Sequence, residues 1–500
     1  INASDEGLPR LSLESWRQTQ RLRWRPRWPK SKSGYMPNAA DLFGLGNAAV
    51  VAPAGHGKTE IIANVAAMGR RALILTHTHA GVHAIRSRLK RLGIPHGQVA
   101  VDTIAGWCMR YTHAFPGVAQ PPDGMPQTGE QWNQLYRGAA WSLRVQAIRE
   151  VVASSYDRIL IDEYQDCHGL QHELAIALSS IVPTLIFGDP MQGIFEFAGA
   201  TLSWDGEIHQ GFPLAGTLET PHRWAGKNPE LGQWIAETRE KLMRGEVIDL
   251  ADPRVTYRES DDAFDMGTLF EGIDGKEGSF AAIHCNKTIC YRLAKAANGG
   301  YQAIEEVAAN RLREFASAWD RAADGRARVQ AFLALSEDCF HKRTLARGET
   351  PDPEDAVVQQ AMRDLIPGVG DGNGAEAVAQ LFSLARKRPQ WRLYRNELWR
   401  DAERAANEVV AGRAETMAAA TLGVRHRVSN SGRKMPKRTV STPLLLKGLE
   451  FDHVVIPDAT HFCNERQAQA KLFYVAISRA TRTLTIASSQ RFVQFDTPAL

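Results

Sequence analysis

The sequence predicts an α/β protein with two largely parallel sheet cores, each interrupted by a mainly helical insertion. Short apolar runs alternate with helical stretches in three regions. The runs are Ala48–Ala52, Ala72–Thr76 and Val99–Val101 in the first, and Arg158–Asp162 and Thr184–Gly188 in the second. Ser279–Cys285, Val440–Pro457 and Leu484–Ala487 make the third. Such alternation points to parallel strands covered by helices on both faces. Two intervening segments differ in composition. Residues 106–153 carry a Pro/Gly stretch and a helical pattern from Gln131 to Val151, and residues 301–430 are rich in Ala, Arg and Glu with helical periodicity. Finally, 500 residues exceed one ordinary domain of roughly 100–200 residues.

These observations divide the chain. Residues 1–40 form a basic, aromatic segment; 41–105 with 154–222 form the first core, and 106–153 its insertion. Residues 223–300 with 431–500 form the second core, and 301–430 its insertion. Hydrophobic residues at 44% and charged residues at 23% exclude a chain disordered throughout. No apolar run reaches about 18 residues, so no membrane-spanning helix is expected. Six cysteines, none in a Cys-x-x-Cys pair, and no secretory pattern make a reducing, cytoplasmic setting the expectation.

Net charge is only +4, but it is unevenly spread. Arg17, Arg21, Arg23, Arg25, Arg27, Lys30 and Lys32 are interleaved with Trp16, Trp24 and Trp28. A second cluster holds Arg425, Arg427, Arg433, Lys434, Lys437 and Arg438. Basic side chains among aromatics suit a phosphate backbone with stackable bases. The competing reading is a solvated tail whose Trp side chains pack on the nearest domain.

The chemistry concentrates at two strand ends. Ala52-Pro53-Ala54-Gly55-His56-Gly57-Lys58-Thr59 follows an apolar strand and opens a helix near Thr59, a P-loop with Ala52 in place of its first Gly. Its glycines let backbone N–H groups face phosphate oxygens, Lys58 reaches the β- and γ-phosphates, and the Thr59 hydroxyl suits Mg²⁺. About a hundred residues on, Ile159-Leu160-Ile161 delivers Asp162 and Glu163 to a strand end. Asp162 fits a Mg²⁺ ligand and Glu163 the base that orients the attacking water. Together they specify hydrolysis of a nucleotide.

At Asp162-Glu163-Tyr164-Gln165-Asp166 the sequence resembles motif II of superfamily 1 helicases of the UvrD/Rep type. Further matches follow in that family's order. Gly188-Asp189-Pro190-Met191-Gln192-Gly193-Ile194-Phe195 resembles motif III, Leu218 to Arg223 motif IV, and Lys447-Gly448-Leu449-Glu450-Phe451 motif V. Leu472 to Ala480 resembles motif VI. The resemblance implies two RecA-like P-loop NTPase cores and an ATP-dependent, 3′→5′ DNA helicase or single-stranded DNA translocase. It implies that Gln192 senses the γ-phosphate, that Arg223 and Arg479 act as arginine fingers, and that Gly448 and Glu450 line the nucleotide with Glu450 on the ribose. Such a finger is worth about 10³–10⁵ in rate in related NTPases. Thr76 and His77 fall in a motif Ia-like stretch, Thr103 begins a motif Ib-like one, and Phe195 and Phe197 take motif III aromatic positions. All five are implied DNA contacts, with core packing the competing reading for each Phe.

The departures from the pattern concern base reading and coupling. No Gln lies between Arg21 and Val51, where the family's adenine-reading Gln precedes the P-loop. His222 replaces a base-stacking Tyr, Ala198 an Arg, Leu444 a His and Ala105 a His. A second functional reading is therefore carried: a nucleotide-sensing regulatory NTPase subunit that binds DNA and a partner such as an OLD-type nuclease, as in Gabija-type antiphage defence. A repair helicase acting alone is disfavoured by the short insertions.

Overall fold

The computed structural model describes residues 38–498 apart from 127, 195–201, 274, 298–299, 304–307, 343–349, 351, 373, 432–435 and 466–467. The Arg/Trp segment before residue 38, including Arg17 to Lys32, lies outside the described residues.

The first sheet contains β1 (Ala48–Val51), β2 (Ala72–Thr76), β3 (Val99–Thr103), β4 (Arg158–Ile161), β5 (Thr184–Gly188) and β6 (Leu214–Thr217). Its order is β3-β2-β4-β5-β1-β6, and every pairing is parallel. β2, β4 and β5 are buried at every position, as expected of strands covered on both faces. Alternate residues serve opposite layers. Leu73, Leu75, Ile159, Ile161 and Ile186 join Trp107, Leu135 and Leu174 on one side. Val50, Ile74, Leu160, Leu185 and Phe187 meet Ile62, Val65 and Ile85 on the other.

The chain continues through β7 (Ile248–Asp249), β8 (Thr256–Glu259), β9 (Phe280–Ile283) and β10 (Gln302–Ala303). Within the helical insertion lie β11 (Phe340–Lys342) and β12 (Trp391–Leu393), an antiparallel pair. The chain then returns through β13 (Arg438–Ser441), β14 (Phe451–Ile456), β15 (Ala480–Ser488) and β16 (Phe492–Val493). The second sheet, β10-β13-β9-β14-β15-β8, is also all parallel. The architecture is thus two six-stranded parallel cores of the RecA-like kind. The insertion packs its helices around Phe332, Phe382 and Trp399, with the Phe382 and Trp399 rings edge-to-face at 4.7 Å.

Two details differ from expectation. The helical pattern from Gln131 to Val151 resolves into two helices, Gly129–Ser142 and Gln146–Ser155. The break is held by Arg149, whose guanidinium donates to Leu143 O at 3.3 Å and Ser180 O at 3.0 Å. β10 of the second sheet lies just past residue 300.

Strand order positions the chemistry. β4, β5 and β1 are neighbours and parallel, so their carboxyl ends share one edge, where ligands bind in open α/β sheets. The loops leaving them carry Asp162–Glu163, Asp189–Gln192 and the P-loop. Among the described residues, no helix is long and apolar enough to cross a membrane.

Candidate nucleotide site between the cores

β1 ends at Val51, and Ala52 N–H still donates to Gly188 O at 2.8 Å. The chain then turns through Pro53 and Ala54 with Gly55 at φ +75° and Gly57 at φ +82°. A Cβ on Gly55 would lie 2.7 Å from both Arg223 Cβ and the Trp224 ring, so only glycine fits. The helix opens at Lys58, one residue before the expected Thr59, and no side chain caps it. Its first N–H groups therefore remain for an anion. His56 is buried, with Nδ1 2.9 Å from Ala54 O. His222 packs on the same loop: its ring would be 3.1 Å from a Cβ on Gly57.

Lys58 Nζ sits 2.7 Å from Asp162 Oδ1 and 2.6 Å from Glu163 Oε1. Burial alone would lower its pKa, but the two carboxylates raise it well above the usual lysine value. Burial likewise works against an ionised Glu163, yet Lys58 and Lys447 hold its carboxyl well below the normal range. The cost of two adjacent acids around one ammonium falls on Asp162, raised by burial and by Glu163. Glu163 adopts φ +55°, a left-handed conformation strained for a side-chain-bearing residue. Its N–H donates to Asp162 Oδ1 at 2.8 Å, and Gln165 Nε2 donates to its Oε2 at 2.5 Å. Gln165 Oε1 in turn accepts from Asp189 N–H at 3.1 Å. Gln165 was part of the motif string without a role; its side chain ties the general-base candidate to the loop after β5.

Gln192 is buried, and its Nε2 donates to Asp189 Oδ2 at 3.0 Å. The other Asp189 oxygen pairs with Arg239 Nη2 at 2.8 Å, from the Pro229–Arg244 helix of the second half. Second-core groups also reach the P-loop. Tyr474 Oη accepts from Ala54 N–H at 2.9 Å, and Arg223 N–H donates to Gly55 O at 3.0 Å. Arg223 Nη1 donates to Ser478 O at 2.6 Å, and its Nε is ion-paired with Glu450 Oε1 at 2.9 Å. Gly448, at φ +80°, makes the turn that brings Glu450 to this place.

Arg479 is 1% exposed and donates to Val475 O, Leu449 O and Ser478 Oγ. Among the described residues no carboxylate forms an ion pair with it. Burial and the Arg223 guanidinium push its pKa down to about 9. A desolvated cation with only neutral partners favours an arriving anion. Seven sequence-singled residues therefore meet at one cleft: Lys58, Asp162, Glu163, Gln192, Arg223, Glu450 and Arg479, with Thr59 in the first turn of the P-loop helix.

The expected DNA contacts fare differently. Thr76 is 1% and Thr103 4% exposed, and Thr103 Oγ1 accepts from Gly106 N–H at 2.9 Å as the cap of the Ile104–Ala114 helix. Both are largely buried, and the DNA contacts that the resemblance implies for them remain a proposal. His77 is partly buried, with Nε2 3.4 Å from Cys167 Sγ. Burial and Lys447 push its pKa down to about 4, so it stands neutral near Glu163. Phe195 and Phe197 lie outside the described residues, as do Arg433 and Lys434. Arg438 is spent on its own core, its guanidinium 4.7 Å from the Phe280 ring centre.

Residues 128–210 match the UvrD/REP helicase N-terminal domain, and residues 440–487 match the UvrD-like helicase C-terminal domain. Two segments of the chain are thus similar to UvrD-like helicase domains. The N-terminal UvrD match contains Asp162, Glu163 and Gln192, and the C-terminal one Glu450 and Arg479. A solved complex of arterivirus nonstructural protein 10 (helicase) with DNA is similar at 14% identity over 48% of this chain and 47% of its own. This chain thus spans about half of that protein, at a TM-score of 0.25, too loose a likeness to place any residue. No curated protein matches the chain.

Proposed function

We propose that this UvrD-like protein is an ATP-dependent DNA translocase or helicase that moves 3′→5′ along one strand. The observation that carries the hydrolytic part is the convergence of Lys58, Asp162 and Glu163 from one core with Arg223 and Arg479 at the other side of the same cleft. The direction rests on the motif resemblance.

The residues fit a nucleoside triphosphate with Mg²⁺. A glycine cradle that a Cβ would fill, open helix N–H groups and the unneutralised Arg479 all favour a polyphosphate. Mg²⁺ bound through phosphate oxygens needs only one or two protein ligands, and Thr59 and Asp162 are the candidates. The cation would neutralise charge developing on the phosphoryl oxygens. In this arrangement Lys58 occupies the space between both acids. A triphosphate competes for its ammonium, and once Lys58 follows the phosphates Glu163 is released to accept a proton from water. Gln165 holds the Glu163 carboxylate in place for that transfer. Gln192, poised on Asp189, would meet the γ-phosphate with an amide that both donates and accepts.

Two variants test the assignment. Lys58→Ala is expected to lose triphosphate binding, whereas Glu163→Gln is expected to bind but not turn over. Turnover by Glu163→Gln at the wild-type rate removes Glu163 as the base. Strand displacement on 3′-tailed, 5′-tailed and blunt DNA tests the direction.

One observation favours the second reading, a nucleotide-sensing NTPase subunit that works with a protein partner without processive unwinding. Thr76 and Thr103, two of the five expected DNA contacts, are buried, and a third, His77, is partly buried against Cys167. If single-stranded DNA fails to stimulate hydrolysis, this reading replaces the first.

A further inference from the structure

Lys447 and Asp166 belong to motif strings, yet beyond the charge that Lys447 sets near Glu163 neither has a part in the hydrolysis set out above. Asp166 ends the one-turn helix Tyr164–Asp166 that follows β4 in the first core. Lys447 follows the short Pro443–Leu446 turn after β13 in the second. Across the cleft, Lys447 Nζ lies 2.5 Å and 2.7 Å from the two Asp166 oxygens and 2.9 Å from the carbonyl oxygen of Gln192. An ammonium has three donors, and these contacts use all three. Both side chains are 11% exposed.

The partners are what make the contact informative. Asp166 is three residues beyond Glu163, on the tight turn that the strained Glu163 backbone opens. The Gln192 carbonyl belongs to the residue whose amide is aimed by Asp189. One cation from the second core therefore grips both first-core loops that carry hydrolytic side chains. Its neighbours fix it to that core: Leu446 is fully buried in the second core's cluster, and Leu449 packs against it. Any rotation of the second core that moves Lys447 must release both loops or drag them along. Burial pushes the Asp166 carboxyl up to about 6, against the opposing pull of Lys447, so the acid depends on this partner to stay charged near neutrality.

We propose that Lys447 is a positioning residue: through Asp166 and the Gln192 carbonyl it makes the placement of Glu163 and Gln192 conditional on closure of the two cores. This rests on the proposed hydrolytic function and adds a device by which core movement, and hence whatever drives it, sets the rate. A pair that merely holds the fold together would behave differently on mutation, because its loss would weaken nucleotide binding and stability together.

The test compares Lys447→Met, Lys447→Arg, Asp166→Asn, Asp166→Lys, Lys447→Asp and the swap that combines the last two. Binding of a fluorescent ATP analogue, the unfolding midpoint and kcat with and without single-stranded DNA are measured on the full chain. Lys447→Met and Asp166→Asn are expected to keep nucleotide affinity within about threefold while kcat falls by about tenfold or more, a loss confined to the transition state. Lys447→Arg should recover most of the rate, since it keeps the charge across the cleft. The swap should recover more than either of its single changes. The proposal is overturned if kcat of Lys447→Met stays within about twofold of wild type, or if it falls only in step with affinity and unfolding midpoint. Wild-type hydrolysis distinguishes the two levels. No hydrolysis by the wild type removes the proposed function and the latch with it; a hydrolysing wild type indifferent to Lys447 removes the latch alone.

Discussion

The buried ion pair between Asp189 and Arg239 permits a separation of stability from catalysis. Both side chains are nearly inaccessible, at 1% and 5%, and Arg239 Nη2 meets Asp189 Oδ1 at 2.8 Å. Arg239→Met keeps an unbranched chain beside the Tyr474 ring but removes the guanidinium. Asp189 is then left with Met191 N–H at 3.2 Å and the Gln192 amide at 3.0 Å, both neutral donors. Stranding a buried charge in this way costs about 3–5 kcal/mol. Replacing both partners with apolar groups of similar volume, Asp189→Leu with Arg239→Met, removes the stranded charge, and such pairs of changes are often neutral or stabilising. The double variant should therefore unfold at a higher denaturant midpoint than Arg239→Met alone. It should nonetheless hydrolyse ATP poorly, because Asp189 Oδ2 no longer aims Gln192. Denaturant unfolding followed by tryptophan emission, with steady-state ATPase on the same samples, reads both quantities. The reasoning is refuted if the double variant is no more stable than the single one, or if it regains wild-type hydrolysis.

Gly55→Ala should abolish triphosphate binding, since φ +75° costs a side-chain-bearing residue about 1–2 kcal/mol and the new methyl meets Arg223 and Trp224; equilibrium binding of a fluorescent ATP analogue checks it. Nucleotide choice should be relaxed, with GTP hydrolysed within about tenfold of ATP, the ~1.4 kcal/mol scale of one modest hydrogen bond. A preference above about a hundredfold would mean that some group does read the base. Stability should decline in acid because of His284, which is fully buried, accepts from Asn286 N–H at Nδ1 and shares Nε2 with His461 Nδ1 at 2.8 Å. Burial and His461 push its pKa down to about 3 from the usual 6.5, so below pH 6.5 the unfolded chain takes up a proton that the folded one refuses. The contribution is complete above pH 6.5 and is lost progressively toward pH 3, at about 1.4 kcal/mol per tenfold of proton affinity. His284→Asn should flatten that part of a stability-versus-pH curve.

What could be read from the sequence was local. Lys58 and the paired acids occupy contiguous strings between an apolar strand and the following turn, so short-range pattern carried them. Thr103 carries a second signal, since a Thr ahead of a helical segment is an N-cap pattern and its hydroxyl serves Gly106 N–H. The helical pattern over Gln131–Val151 does not show the break after Ser142, where Arg149 bonds to Leu143 O and Ser180 Oγ. β11 and β12, three residues each and antiparallel within a helical insertion, carry no period long enough to see. Contacts such as Asp189 with Arg239, or Ala54 with Tyr474, join residues 50 and 420 positions apart; no local pattern encodes them.

The bonds from Ala54 N–H to Tyr474 and from Gly55 O to Arg223 bear on how the chain can be divided. Two backbone groups of the phosphate loop, and the wall formed by Trp224, are completed by residues of the second core, with Trp224 Nε1 anchored to Ala480 O at 2.7 Å. A fragment ending near residue 217 would keep the whole first sheet yet expose the underside of its own loop to water. Cut chains should consequently regain nucleotide binding only when both pieces are mixed, so that fragment complementation becomes a direct measure of how strongly the two cores recognise one another.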